Sequence, residues 1–263
     1  MRGFRWARAR AVFWKDFLDL RKNRALLASM LALPAVLVVV PAGIIWAYVR
    51  RPDDPNLKVM AQYYDSTVAG LNAVQFLADK VLIDWFAVYL IMPVFVPILV
   101  SSHAVAGEKE RRTLEPLLAS PITGLELLVG KSLASLVPSF VICVVAFGLL
   151  CVTVDVVAAP LGVLLLPNAM WVFGVFVIAP LFAFFGNGVA VLISARVNDA
   201  RLAQQLAGLF VLPLLGLSGA QFAGFLKAGV GYYAVLGAGV LLLDVALLVA
   251  ATRLFDREKL MER

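Results

Sequence analysis

Charge is what this sequence has least of. Only 15% of its 263 residues are Asp, Glu, Lys or Arg, against roughly 25% in soluble domains. Hydrophobic residues make up 62%, and the mean hydropathy is +0.93. A water-soluble fold of this length could not hide that much apolar surface, so lipid must be the solvent for most of the chain. Histidine is nearly absent, with His103 alone, and cysteine is limited to Cys143 and Cys151 in one uncharged run. The sequence therefore holds no donor set for a zinc or other transition-metal site. The two cysteines, at i and i+8 of a helix, are too far apart to pair and read as small packing residues. No GxxxxGK[ST] loop occurs, so the chain does not bind ATP through a Walker motif, and no cofactor is expected on it. A secretory leader is not expected either. The apolar run Ala25–Val49 is too long for one and ends without a small-x-small cleavage site.

What is present is a series of long uncharged runs between short charged clusters. About 20 residues cross the hydrocarbon at 1.5 Å each. The pattern predicts an all-α membrane protein with a single transmembrane domain over residues 1–263. An amphipathic elbow helix occupies 1–24, and six spans lie near 25–49, 85–106, 130–154, 169–195, 202–226 and 229–252. Pro160 and Pro167-Asn168 divide the run 156–195, so Asn168 is expected to cap the fourth span and 155–167 to dip into the outer interface. With the N-terminus inside, 18 of the 23 Lys and Arg residues fall on inner connections and 5 on outer ones. That bias predicts a multi-pass protein of the cytoplasmic (inner) membrane with both termini cytoplasmic. It also accounts for the net charge of +6, which is therefore no sign of a nucleic-acid partner.

In the elbow, Trp6, Phe13, Phe17 and Leu20 fall within about 60° of one another on a helical wheel. Arg8, Lys15, Asp19 and Lys22 project from the other side. Such a helix is expected to lie flat in the inner leaflet, aromatics down, with lipid as its partner and its cations near anionic headgroups. Residues 50–83 hold most of the outer charge, and Val68, Leu71, Val74, Leu77 and Ala78 suggest a short helix on the outer surface.

The connection between spans two and three, 107–126, is the most informative segment. Thr113 can cap a short helix whose first turn tolerates Pro116, with Leu114, Leu117 and Leu118 on one face and Ser120-Pro121 as its end. Thr123-x-x-Glu126 then forms a capping box that opens the next helix. Glu108 and Arg112, at i and i+4, can pair ahead of it. Two helix starts and a leucine face in one loop point to a docking element for a partner at the inner surface.

The stretch E-K-E-R-R-T-L-E-P-L-L-A-S-P-I-T-G-L-E-L-L-V-G-K, Glu108–Lys131, resembles the membrane subunits of bacterial and archaeal ABC-2 type transporters. Their corresponding connection reads E-x-E-x-x-T-L-E-x-L-L-x-x-P-I/V-x-x-x-E-L-L-x-G-K. Arg112 departs from the pattern, since many members carry glycine there. The turn Ile193–Gln205 and the ending Arg253–Lys259 are weaker likenesses. The resemblance implies the type V ABC exporter architecture: an elbow, six spans and a coupling segment after the second. It implies two copies of a separate ABC ATP-binding subunit, which hold ATP and Mg2+, and a second permease subunit, read as a homodimer. This chain would then be a non-catalytic membrane subunit. The coupling set would be Glu108, Glu110, Arg111, Arg112, Thr113, Leu114, Glu115, Leu117, Leu118 and Pro121, with Arg196, Asn198, Asp199 and Arg201 in a second inner turn.

Candidates for a transport path or gate are Asp244, the one acid well inside a span, together with Pro213, Gln221 and Phe222. The breaker-rich piece 212–222 resembles the family's broken fifth span with re-entrant outer helices. Asp244 should either line a cavity or hydrogen-bond to a neighbouring helix near Gln204 or Gln205. An ion-coupled secondary transporter or channel is the alternative reading, but a single intramembrane acid and the lack of an inverted repeat count against it. A lipid-modifying enzyme would need paired carboxylates or histidines at the interface, and the sequence has none.

Overall fold

The computed structural model describes residues 4–65, 71–110, 122–226 and 228–261, with side chains left out at 71–72, 104–105, 109–110 and 253–261. Helix α1, Trp6–Lys22, stops at Asn23, whose side chain accepts the Leu26 N–H at 3.1 Å and caps α2, Arg24–Val49. A single residue thus joins the elbow to the first span. At the far end Asp54 caps α3, Pro55–Tyr64, by accepting the Asn56 N–H at 2.9 Å. Pro55 sits in the first turn, where a missing N–H costs nothing.

The second span is built from α4, Leu71–Tyr89, and α5, Ile91–Glu110. The break at Leu90 has a simple origin: Pro93 has no N–H to give to the Tyr89 carbonyl, and its ring crowds that oxygen. The apolar helix nevertheless runs on from Ala73 to Glu108, 36 residues. Two expectations change here. The span begins well before residue 85, and the positions expected to form a separate surface helix are its first turns. Val74, Leu77 and Ala78 are buried, the first two packed in a small cluster with Leu57 and Ala61 of α3. The surface helix is α3, announced by the Asp54-Pro55 cap.

The capping box opens α6, Gly124–Ala158, with the Thr123 and Glu126 side chains each accepting the other's backbone N–H. Asp155 near its far end accepts the N–H groups of Leu165 (3.1 Å) and Leu166 (3.2 Å), folding the outer connection back onto the bundle. Asn168 caps α7, Ala169–Phe173, by accepting the Trp171 N–H at 3.0 Å. The fourth span continues through a widened π turn, Gly174–Ile178, into α8, Ala179–Arg196. Pro180 cannot bond to the carbonyl one turn back, and the π turn is where the ladder absorbs that loss. The fifth span is α9, Ala200–Gly208, a 3-10 turn at Leu209–Val211, and α10, Leu212–Phe222; the sixth lies in α11, Val230–Met261. The piece 212–222, expected to be a broken span with re-entrant outer helices, is the single helix α10 among the described residues. Among the described residues the stretch between Phe222 and Val230 is only a turn, with Gly224 left-handed at φ 78°.

Among the described residues six helices are thus long and apolar enough to cross a membrane. The second is the central one: 72% of its most apolar stretch is buried, against 17% in the sixth. Helix α5 packs most extensively on α8. Across the middle, Phe86 meets Tyr233 at 4.6 Å and Trp171 at 4.9 Å between ring centres, and Phe147 stacks on Trp171 at 5.8 Å. Those rings join spans two, three, four and six. The outer faces carry exposed apolar side chains such as Val39, Val156 and Leu242, the surface that hydrocarbon rather than water accepts.

Candidate functional site

Where α1 lies, the last turns of α5 and the first turns of α6 meet in one charged cluster. Lys131, only 3% exposed, places its ammonium 2.7 Å from Glu108 Oε2 and 3.3 Å from Asp16 Oδ2. Lys15 pairs with the other Glu108 oxygen and lies 3.5 Å from Asp16. A few residues away the Glu126 carboxylate, fully buried, accepts the N–H groups of Arg5 (2.8 Å) and Thr123 (2.8 Å), with Arg8 Nη1 at 3.5 Å. Burial pushes the Asp16 carboxyl above the usual aspartate range, although Lys131 and Lys15 pull it down. Partial burial acts to lower Lys15, but its hydrogen bond and charge contact with Glu108, helped by Asp16, leave it raised overall.

This geometry corrects the reading of α1. Its inner face is Ala9, Val12, Asp16 and Leu20, packed mainly on α6. Trp6 is 63% exposed and Phe13 and Phe17 are half-buried, stacked on each other at 5.8 Å. The small residues make the protein contact and the aromatics flank it. Arg8 and Lys15, expected to face headgroups, turn instead to the bundle's buried carboxylates. Asp16 gave no sequence signal beyond its i, i+4 spacing from Val12 and Leu20.

Of the expected coupling set, Glu108 belongs to this cluster. Arg111, Arg112, Thr113, Leu114, Glu115, Leu117, Leu118 and Pro121 lie outside the described residues, as does the Glu110 side chain. The second turn sits beside the end of α5, held there by Ala106 against Ala200 and Ala203. Arg196, Asn198 and Arg201 are exposed, and Asp199 caps α9 by accepting the N–H groups of Arg201 (2.7 Å) and Leu202 (3.1 Å). The structure therefore brings Glu108 and Asp199, far apart in sequence, to one cavity of about 800 Å³ that Lys15, Asp16, His103 and Arg201 also line. His103 bonds to the Leu99 carbonyl at 2.9 Å.

Deeper in the bundle, sequence reasoning missed a polar hub. Ser101 and Ser135 both donate to Asn187 Oδ1 at 2.8 Å, and Asn187 Nδ2 donates to Ser132 at 2.9 Å. Spans two, three and four are tied by one buried amide. The signal was the i, i+3 spacing of Ser132 and Ser135 together with Gly186-Asn187-Gly188.

The outer candidates are structurally engaged. Pro213 starts α10. Gln221, buried, donates to the Ile83 carbonyl at 2.8 Å and accepts from Tyr233 Oη at 3.1 Å. Phe222 packs edge-on to Trp85 at 6.3 Å. Nearby Asp84, only 5% exposed and paired with Lys80, is a buried acid of α4 that the expected span limits passed over.

Asp244 stands apart. Both of its oxygens are shielded and neither finds a hydrogen-bond partner among the described residues, so the expected bond to Gln204 or Gln205 is not made. An uncompensated polar group of this kind costs about 1–3 kcal/mol. Asp244→Leu is accordingly expected to raise the melting temperature of the detergent-purified subunit. A fall of several degrees would mean that the carboxylate has a partner outside this chain.

A six-span helical bundle with these elements in this order is a multi-pass membrane protein. Residues 10–231 match the ABC-2 family transporter proteins. The chain belongs to that family and is a permease component of an ABC transporter. Compared with curated protein sequences, it matches none.

Proposed function

We propose that the chain is the membrane subunit of an ATP-driven exporter, coupled through 107–126 to a separate ATP-binding subunit. The end carrying α1 and the second turn faces the cytoplasm, and substrate leaves across the inner membrane. Two ATPase copies, holding ATP and Mg2+, serve two permease copies of this chain. This chain contributes no catalytic group. Its own residues dock the motor and line the path, with Asp244, Gln221 and Phe222 as path and gate candidates and lipid around the outer faces.

The observation that carries the reading is the convergence of both inner connections. The start of 107–126, at Gly107 and Glu108, and the turn 196–201 share one end of the bundle and one cavity. A motor bound there touches spans two to five at once. The chain itself has no nucleotide loop.

A tagged pull-down from the native host in mild detergent tests this. A Walker-motif ATPase is expected in stoichiometric amount, with ATP turnover that depends on the permease. A stable assembly of this chain that transports without ATP would overturn the proposal and favour an ion-coupled transporter.

A further inference from the structure

We propose that the cavity between α1, α2, α5 and α9 holds the headgroup of one ethanolamine phospholipid. Its phosphate meets Lys22 and Arg201, and its ammonium meets Asp19 and His103. The proposal needs only that the chain spans a bilayer, and it does not depend on the ATPase reading.

The cavity is amphipathic in the order a lipid requires. Its apolar wall includes Leu20, Leu26 and Val100. Leu26 lies in the first turn of the first span, and Val100 lies well inside the second. The charged rim comes from the end of α1 and the start of α9, where Asp19, Lys22 and Arg201 are exposed. Helix α1 itself marks the level of the headgroups. Its Trp14 is 46% exposed and Leu18 45%, beside the cations Arg10 and Arg21. Side chains of this mixed kind settle where hydrocarbon meets water. A soluble anion would leave the apolar wall uncovered, whereas an acyl chain covers it. The volume of about 800 Å³ falls within the roughly 300–1,000 Å³ of small-ligand sites.

Charge selects the headgroup. Asp16 and Glu108 are already matched by Lys15 and Lys131. What remains on the walls is Lys22 and Arg201 against Asp19 and Asp199, so the site is neutral overall. A zwitterion preserves that balance, and an anionic lipid or a free phosphate does not.

The groups left over also fit atom by atom. Among the described residues the Asp19, Lys22 and Arg201 side chains make no hydrogen bond or ion pair, while Asp199 is occupied in capping α9. An ammonium and a guanidinium fork are the usual ligands of phosphate oxygens. Asp19 is the free carboxylate for the ligand's cation. His103 adds a second acceptor: Nδ1 donates to the Leu99 carbonyl at 2.9 Å, so in the neutral ring Nε2 keeps its lone pair. An ethanolamine ammonium brings three N–H donors to these acceptors. Choline brings none.

The test uses the full chain, purified in detergent and stripped of lipid. It is titrated with palmitoyl-oleoyl phosphatidylethanolamine, phosphatidylglycerol or phosphatidylcholine, and binding is read by native mass spectrometry. One ethanolamine lipid per chain is expected, held about tenfold more tightly than either of the others. Lys22→Ala with Arg201→Ala should weaken it about tenfold. Asp19→Asn should erase the preference for ethanolamine over glycerol. Arg21→Ala, an exposed cation that does not line the cavity, should change nothing. The altered side chains are exposed, so each variant should melt at the unmutated temperature when no lipid is added.

Equal retention of the three lipids by the unmutated chain overturns the proposal, and this needs no variant, since it marks ordinary surrounding lipid. An ethanolamine preference that survives Lys22→Ala with Arg201→Ala overturns it as well, because the lipid then sits elsewhere. So does inorganic phosphate that displaces the lipid at equal concentration, which would make the cavity a site for a soluble anion.

Discussion

Gly186→Val is expected to destabilise the bundle more than a change of this size on its surface would. A Cβ at 186 would sit 2.4 Å from the Val94 carbonyl oxygen and 3.0 Å from its Cα. Both are backbone atoms of α5, which cannot rotate away as a flexible side chain would. The only relief is to part α5 from α8, the most extensive helix pair in the protein. Parting them also stretches the Ser101–Asn187 hydrogen bond, 2.8 Å long. Overpacking costs about 1–3 kcal/mol and sometimes more, a large share of the roughly 5–15 kcal/mol that holds a typical domain together. Thermal unfolding followed by size-exclusion chromatography in detergent measures it. Gly208→Ala is the matched control, because nothing lies within 4 Å of its added Cβ. At the end of α9, where Gly208 already holds a helical backbone (φ −59°, ψ −27°), that change is expected to be neutral or stabilising by about 0.5–1 kcal/mol. Equal melting temperatures for the two variants would show that α5 and α8 are not in backbone contact.

Leu117→Asp with Leu118→Asp is expected to abolish recovery of the ATPase while leaving insertion and yield unchanged. The expectation rests on sequence, since both positions lie outside the described residues. A leucine face on a short helix after Thr113 would dock into an apolar groove, and two carboxylates buried there without partners would cost several kcal/mol. A loss of about 4 kcal/mol is a thousandfold in affinity, enough to empty a pull-down. Co-purification at the unmutated level would remove these leucines from the interface and leave docking to the 196–201 turn and the buried charge cluster.

Much of the architecture was legible in one dimension because lipid imposes a simple rule. A spanning helix must satisfy its backbone internally and present apolar side chains for about 20 residues. Local caps were equally readable. Asn168 and Thr123–Glu126 do what their side chains are built to do, since a cap involves only residues a turn apart. Errors arose where a boundary is set by contacts from elsewhere. Charges that include Asp79 and Lys80 made residues 50–83 look extramembranous. Yet Lys80 and Asp84 neutralise each other across one helical turn, and α3 covers the early turns of α4. The broken fifth span expected over 212–222 came from resemblance and its breakers, and the helix carries Pro213, Gly216 and Gly219 within α10 after a single 3-10 turn.

The charge cluster shows why the candidate site was only half readable. Glu108 stood out because it opens a recognisable segment, but its partners come from Lys15 and Lys131, which no spacing rule connects to it. The aromatic stripe of α1 was plain on a helical wheel. Which face would meet protein was not, because that depended on Gly130 admitting the backbone at Ala9.

Sequence alone determined that this chain lives in lipid and carries six helices long and apolar enough to cross it. Composition, run length and capping are properties of neighbouring residues, and they act before any long-range contact forms. Tertiary structure decided which carboxylates are buried and with whom, that Asn187 ties three spans, and that α1 reaches both Glu108 and Glu126. Those outcomes depend on side chains tens to more than a hundred residues apart arriving at one place, where removal from water makes each charge depend on the others.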